Sequence, residues 1–167
     1  MRFEVRQHIT APVDAVAAAL CDPAYYEALG TAPKLGVPEV LERQVDGDQV
    51  LLRVRYRFAG ELSSAARAVL DPNKLTWVEE SRHDLAQHRV TFVLKPDNYA
   101  DRLSCTGGYR LEADPADPSR TIRTASGELK VRAALVAGSV ERALVSGLKE
   151  HLDAEAGIIA RFVAGAD

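Results

Sequence analysis

The C-terminal segment constrains the fold more than any other part of this sequence. From Val136 to Ala164 the chain contains no proline, and its large apolar residues recur at helical spacing. The residues within about 60° of one line on such a helix are Val140, Leu144, Leu148, Ile158, Ile159 and Phe162. The opposite face is polar, for example at Arg142 and Lys149. The pattern predicts one amphipathic helix of roughly 40 Å, long enough to lie across a whole sheet.

The residues before this helix alternate in polarity with a period of two, as half-buried strands do. Segments of this kind lie at 1–9, 39–45, 49–59, 75–82, 88–95, 102–112 and 121–131. Turn-forming residues separate them, most clearly Asp46-Gly47-Asp48. Two short helical segments follow the first strand, and residues 61–69 are short helical or irregular. The order predicts an α+β chain, with a seven-stranded antiparallel sheet, two short helices and one long C-terminal helix.

Composition and charge exclude several classes of protein. The 167 residues, 47% of them apolar, predict a single domain over residues 1–167. A net charge of −3 offers no basic surface, so we expect no binding to nucleic acid. No apolar run is long enough to span a membrane and the first residues do not resemble a signal peptide, so we expect a cytoplasmic protein without an integral membrane segment. Cys21 and Cys105 are interpreted as buried free thiols, and the oligomeric state stays open.

The order of elements resembles the helix-grip fold of the START-like superfamily (SRPBCC, birch-pollen-allergen type). The motifs that carry the resemblance are Asp22 with Tyr25-Tyr26, Leu75-Thr76-Trp77, Gly107-Gly108 and the helix entry from Gly138 to Glu141. Within the superfamily, the segment 127–141 followed by Ala154-Glu155 is similar to a bacterial family of uncharacterised function. The resemblance implies a curved sheet that wraps around the terminal helix and encloses a hydrophobic cavity. It implies no catalytic residues, because the superfamily shares none.

Residues on both walls of such a cavity are candidates for ligand binding. The strand residues in phase with inward apolar neighbours are Tyr56, Trp77, Phe92 and Tyr109. The helix contributes Leu144, Leu148, His151 and Glu155. We expect these eight side chains to contact a hydrophobic small molecule, such as a lipid or a polyketide.

His151 and Glu155 are the unusual members of this set. Spaced i and i+4, they project within about 20° of the centre of the apolar stripe. Burial of an imidazole and a carboxylate is costly unless they bond to each other or to a ligand. We therefore expect Glu155 to accept a hydrogen bond from His151 or from a ligand and to favour the charged imidazole. The alternatives are that the helix end overhangs the sheet, where both residues reach water, or that the pair is purely structural.

Other polar residues carry weaker signals. Glu79 shares the phase of Trp77, but the neighbouring Glu80 favours an edge strand exposed on both sides. Alternating arginines are expected on the solvated convex face, and they are Arg53, Arg55 and Arg57 with Arg89, Arg110 and Arg123 as neighbours. The histidines lack the spacing of a metal site, and the chain contains no nucleophile, phosphate or dinucleotide motif. We expect no metal, no cofactor and no catalytic residue set.

Three functions are compatible with these features. The favoured hypothesis is a carrier or sensor of a hydrophobic small molecule. The second is a cyclase or dehydratase that uses the same cavity, with His151 as general base. The third is a co-chaperone-like interaction domain with a closed pocket. A cavity smaller than about 300 Å³ would favour the third, because it could not hold a drug-sized ligand.

Overall fold

The computed structural model describes residues 1–32, 35–62, 64–68, 70–133 and 137–165. The described residues form one curved antiparallel sheet of seven strands. The strands are β1 (Arg2–Ile9), β2 (Glu39–Asp46), β3 (Gln49–Arg57), β4 (Thr76–Asp84), β5 (Arg89–Pro96), β6 (Leu103–Asp114) and β7 (Asp117–Val131). Strands β2 to β7 pair in sequence order, and β1 completes the sheet by pairing with β7. The predicted antiparallel meander is confirmed.

The helices also follow the predicted order. They are α1 (Val13–Ala19), α2 (Pro23–Leu29), α3 (Ser64–Arg67) and α4 (Ala137–Ala164). Asp22 caps α2, because its side chain accepts a hydrogen bond of 2.9 Å from the amide of Ala24. The short α3 lies within the segment 61–69 that the sequence left as helical or irregular. Residue 136, the predicted start of the long helix, lies outside the described residues.

The strand register defines the two faces of the sheet. Side chains directly opposite each other in neighbouring strands point to the same face. Tyr56 on β3 is opposite Trp77 on β4, and Val90 on β5 is opposite Tyr109 on β6. The concave face therefore carries the aromatic residues that the sequence placed inward.

Helix α4 lies over this concave face and joins two apolar clusters. Near its C-terminal end, Ile158 and Ile159 are buried with residues of α1 and α2. Near its N-terminal end, Val140 and Val145 are buried with residues of β1 and β7. The predicted polar face is exposed, for example at Arg142 and Lys149, which are at least partly accessible.

Candidate functional site

A cavity of about 480 Å³ lies between α4 and the concave face of the sheet. Its wall is mostly apolar and includes side chains from both clusters. The volume exceeds the roughly 300 Å³ below which a drug-sized ligand does not fit. The cavity therefore has room for a small molecule.

All eight residues that the sequence proposed for a ligand site line this cavity. They are Tyr56, Trp77, Phe92, Tyr109, Leu144, Leu148, His151 and Glu155. On the sheet, two of the aromatic rings stack in parallel, with ring centroids 5.6 Å apart and an angle of 12° between the planes of Tyr56 and Trp77. Ligand binding by the eight residues stays a prediction.

Two glycines shape the sheet side of the cavity. Gly107 on β6 and Gly127 on β7 are directly opposite each other. A Cβ atom at Gly107 would lie 2.8 Å from the ring of Phe92, and one at Gly127 would lie 2.7 Å from the ring of Phe3. Both positions therefore exclude larger residues, and the two phenylalanine rings occupy the space above them.

Arg123 lies on the concave face, so the prediction that placed it on the solvated convex face was wrong. Its position on β7 is directly opposite Gln7 on β1, and that register position points inward. Its side chain is 1% exposed. Gln7 is polar, whereas the other residues on its face of β1 are apolar. A polar residue at such a position indicates a buried hydrogen-bonding partner on a neighbouring strand.

Every nitrogen of the Arg123 guanidinium donates a hydrogen bond to the protein. Nε donates to Oε1 of Gln7 at 2.9 Å, Nη1 to Oε2 of Glu155 at 2.7 Å, and Nη2 to the carbonyl of Leu152 at 3.1 Å. The contacts connect β7 to β1 and to α4. Burial works to lower the pKa of Arg123, but the charge of Glu155 raises it, so the guanidinium stays charged.

Glu155 is held by protein groups on both oxygens. Oε1 accepts a hydrogen bond of 2.7 Å from the Tyr25 hydroxyl, and Oε2 accepts from Arg123. Burial works to raise the pKa of Glu155, but the Arg123 charge and these hydrogen bonds bring it below its usual value. Glu155 is therefore a buried carboxylate with its own partners.

The expected pairing of His151 with Glu155 was wrong. Among the described residues, Nδ1 of His151 is buried without a hydrogen-bond partner. Burial lowers the pKa of His151 further than the negative charge of Glu155 raises it. Burial is the main reason that the imidazole is neutral at pH 7, and the nearby charge of Arg123 acts in the same direction.

Glu79 is the polar residue that sequence reasoning underrated. It lines the cavity and is directly opposite Val54 on β3 and Leu94 on β5, both on the concave face. Within the described part of the chain, its carboxyl group has no hydrogen bond and no ion pair. Burial and the charge of Glu155 raise its pKa to about 7, against the opposing effect of Arg123.

The neighbouring Glu80 shows why the interpretation as an edge strand was wrong. Strand β4 is an interior strand, paired with β3 and β5. Glu80 points to the convex face, where it lies 2.6 Å from Nζ of Lys95 and 3.3 Å from Nε of Arg53. Its hydrogen bond with Lys95 lowers its pKa. The two consecutive glutamates thus lie on opposite faces of the sheet. Glu80 forms ion pairs on the convex face, and Glu79 lines the cavity without a partner among the described residues.

Three tyrosines line the cavity near Glu79. The hydroxyl of Tyr26 donates to the carbonyl of Leu20 at 3.0 Å. Burial, together with the charge of Glu79, raises the pKa of Tyr56 well above its usual value, and burial does the same for Tyr109. These tyrosine hydroxyls therefore stay protonated and neutral.

The described residues contain no group of three His, Cys, Asp or Glu side chains that could hold a metal ion. Cys21 and Cys105 are free and buried, as expected, and burial raises their thiol pKa values to about 11 and 12. Within the described ranges, we find no helix with the length and apolar character that a membrane crossing requires.

Comparison with known sequences assigns the family. Residues 4–163 match the family described as "Protein of unknown function (DUF2505)". The chain belongs to this family. No curated protein matches the sequence.

Solved structures extend the comparison beyond the DUF2505 family. TTHA0849 from Thermus thermophilus superposes with a TM-score of 0.69 at 14% identity, over 99% of this chain and 98% of the other. ZhuI aromatase/cyclase from Streptomyces sp. R1128 gives a TM-score of 0.66 at 22% identity, over 100% and 99%. A START superfamily protein from Mycobacterium smegmatis gives 0.62 at 14% identity, over 96% and 98%. The fold is the START-like helix-grip fold, as the sequence resemblance implied.

Proposed function

We propose that this DUF2505 chain binds a largely apolar small molecule, such as a lipid or a polyketide, and acts as its carrier or sensor. The observation that carries the proposal is the cavity of about 480 Å³ between α4 and the sheet. The cavity wall is mostly apolar, and burial of apolar ligand surface against such a wall is favourable. A ligand of matching volume would bury its surface in this way.

The proposal is tested with N-phenyl-1-naphthylamine, a neutral probe that fluoresces in apolar surroundings. We expect it to bind the native protein and to raise the melting temperature, because a ligand of the native state stabilises that state by mass action. Leu148→Trp would fill the cavity from α4 and should weaken probe binding by roughly tenfold. Lys149→Trp, on the polar face of the same helical turn, is the matched control. Unchanged affinity in a folded Leu148→Trp protein would contradict the proposal.

The second candidate is a cyclase or dehydratase that uses the same cavity. One observation favours it, namely that Glu79 has a pKa of about 7 inside the cavity. General acids and bases work best when their pKa lies near the operating pH. A neutral His151, whose pKa burial lowers, could accept a proton from an enolisable substrate. ZhuI, with the same fold, is an aromatase/cyclase.

Incubation with a poly-β-ketone thioester separates the two candidates. An enzyme would convert the substrate, and Glu79→Gln or His151→Gln would abolish conversion while N-phenyl-1-naphthylamine still bound. A carrier would return the substrate unchanged. Mass spectrometry of the extracted small molecule distinguishes these outcomes.

A further inference from the structure

Few charged groups of the described residues lie deep in the cavity wall. Among them the positive charge is Arg123, and the carboxyl groups are those of Glu79 and Glu155. Arg123 is 1% exposed, so hardly any of its surface faces the cavity. Its three nitrogens already donate to Gln7, Glu155 and Leu152. A ligand carboxylate would therefore lie near the carboxyl groups of Glu79 and Glu155, and Arg123, the cation among the described lining residues, is already paired.

Glu79 differs from Glu155 in what it leaves for a ligand. Both oxygens of Glu155 accept hydrogen bonds from protein donors. The Glu79 carboxyl has no such partner within the described residues, and it stands on the concave face between Val54 and Leu94. Glu79 is half-buried on the cavity wall, so its carboxyl oxygens are left to accept a hydrogen bond from a donor inside the cavity, such as a group of a ligand.

The apolar groups around Glu79 also limit the charge of that donor. Its cross-strand neighbours Val54 and Leu94 are apolar, and Tyr56 is a diagonal neighbour on β3. Transfer of a charged head from water into such surroundings costs more than transfer of a hydroxyl group. A neutral hydroxyl is therefore the donor that this position accommodates best.

We propose that the ligand is an apolar molecule whose hydroxyl group donates a hydrogen bond to Glu79, and that the cavity discriminates against the carboxylate of the same apolar body. This inference rests on the proposed binding function and names the chemical class of its ligand. Arg123 contributes to this discrimination indirectly. Because its guanidinium is paired with Glu155, it is not available to bind a ligand carboxylate.

Four naphthalenes of matched shape test the inference at pH 7. Naphthalene measures the apolar body alone, 2-naphthol adds the donor, 2-methoxynaphthalene keeps the oxygen without the donor, and 2-naphthoate supplies the carboxylate. Affinities come from displacement of N-phenyl-1-naphthylamine. We expect 2-naphthol to bind about tenfold or more tightly than 2-methoxynaphthalene, the usual effect of one hydrogen bond to a charged or partly charged acceptor. We expect 2-naphthoate to bind most weakly.

Two variants of Glu79 separate hydrogen bonding from charge. Glu79→Leu removes the acceptor, so the preference for 2-naphthol over 2-methoxynaphthalene should fall to within about twofold while naphthalene still binds. Glu79→Gln keeps an oxygen acceptor without the negative charge. It should keep the preference for 2-naphthol and strengthen the binding of 2-naphthoate. If Glu79→Leu does not fold, Glu79→Gln and the wild-type series still decide the result.

The outcomes distinguish this inference from the function on which it rests. Failure of all four compounds and of N-phenyl-1-naphthylamine to bind overturns the binding function and the inference with it. Binding of naphthalene, with 2-naphthol no tighter than 2-methoxynaphthalene, overturns the inference alone. Tighter binding of 2-naphthoate than of 2-naphthol, or a 2-naphthol preference unchanged in Glu79→Leu, overturns it as well.

Discussion

The two halves of α4 carry the same kind of apolar stripe and meet different surroundings. In the C-terminal half, Ile159 is fully buried and Phe162 makes an edge-to-face contact with Tyr25, at 5.7 Å between ring centroids. In the N-terminal half, Leu144 and Leu148 are partly buried and line the cavity. An apolar stripe thus shows which side of a helix faces inward, but not whether the opposite wall lies within packing distance.

The difference has a physical origin in what stands opposite each half. Tyr25 and Tyr26 of α2 fill the space in the cluster that holds the C-terminal half. At the cavity, the sheet presents Phe3 and Phe92, whose rings lie over Gly127 and Gly107 and line the cavity wall. The buried pair Arg123–Glu155 ties the closed half of the helix to the sheet. The C-terminal half of α4 is therefore well packed, whereas Leu144 and Leu148 of the N-terminal half border the cavity.

The largest effect on stability is expected from the Arg123–Glu155 pair, which ties the closed half of α4 to the sheet. Arg123→Met leaves Glu155 as a buried charge without its cation and should lower the free energy of unfolding by about 3–5 kcal/mol. The double variant Arg123→Met/Glu155→Gln removes both charges and should recover part of the loss. Urea denaturation measures both. Equal stability of wild type and Arg123→Met would show that the pair does not hold the closed half.

Truncation in each half of α4 tests the comparison directly. Ile159→Ala creates a void in the closed half and should cost about 2–5 kcal/mol of unfolding free energy, whereas Leu148→Ala enlarges an existing cavity and should cost about 1 kcal/mol. Helix propensity favours alanine slightly more over isoleucine than over leucine, so it works against the expected difference and cannot produce it. Similar losses in the two variants would mean that the halves are equally well packed.

The smallest expected effect on stability is its dependence on pH through Glu79, which lies on the cavity wall. Because the folded-state pKa of Glu79 is raised from 4.5 to about 7, the folded protein holds a proton there that the unfolded chain releases. The charged and titratable groups that act on Glu79 or line the cavity beside it are Arg123, Glu155, His151, Tyr26, Tyr56 and Tyr109. The contribution of Glu79 to stability is therefore present below pH 4.5 and lost as the pH rises to 7, a fall of about 1–3 kcal/mol.

The control for this pH effect is Glu79→Gln, which lacks the titration. The unfolding free energy of wild type minus that of Glu79→Gln should therefore fall by about 1–3 kcal/mol as the pH rises from 4.5 to 7. Burial lowers the pKa of His83 to about 4, so the contribution of His83 to stability rises with pH. This contribution is the same in both proteins and cancels when their unfolding free energies are subtracted. A difference that stays constant with pH would show that the Glu79 carboxyl is not desolvated.

The sequence by itself determined the elements, their order and their inward faces. Alternation along Phe3, Val5, Gln7 and Ile9 placed these side chains on the face of β1 that is buried. The helical stripe likewise identified Leu144, Leu148, His151 and Glu155 as residues of the cavity wall. These properties follow from local periodicity, because a strand repeats every two residues and a helix every 3.6, so a short stretch of chain is enough to read them.

The tertiary structure alone decided how the inward polar groups are paired. Glu155 lies four residues from His151, yet it bonds to Arg123, 32 residues away, and to Tyr25, 130 residues away. Glu155 therefore forms no hydrogen bond with His151, whose pKa burial lowers, and Glu79 has no partner within the described residues. Partner choice in a low-dielectric interior depends on which side chains the sheet register and helix packing bring within hydrogen-bond distance, and no local pattern encodes that.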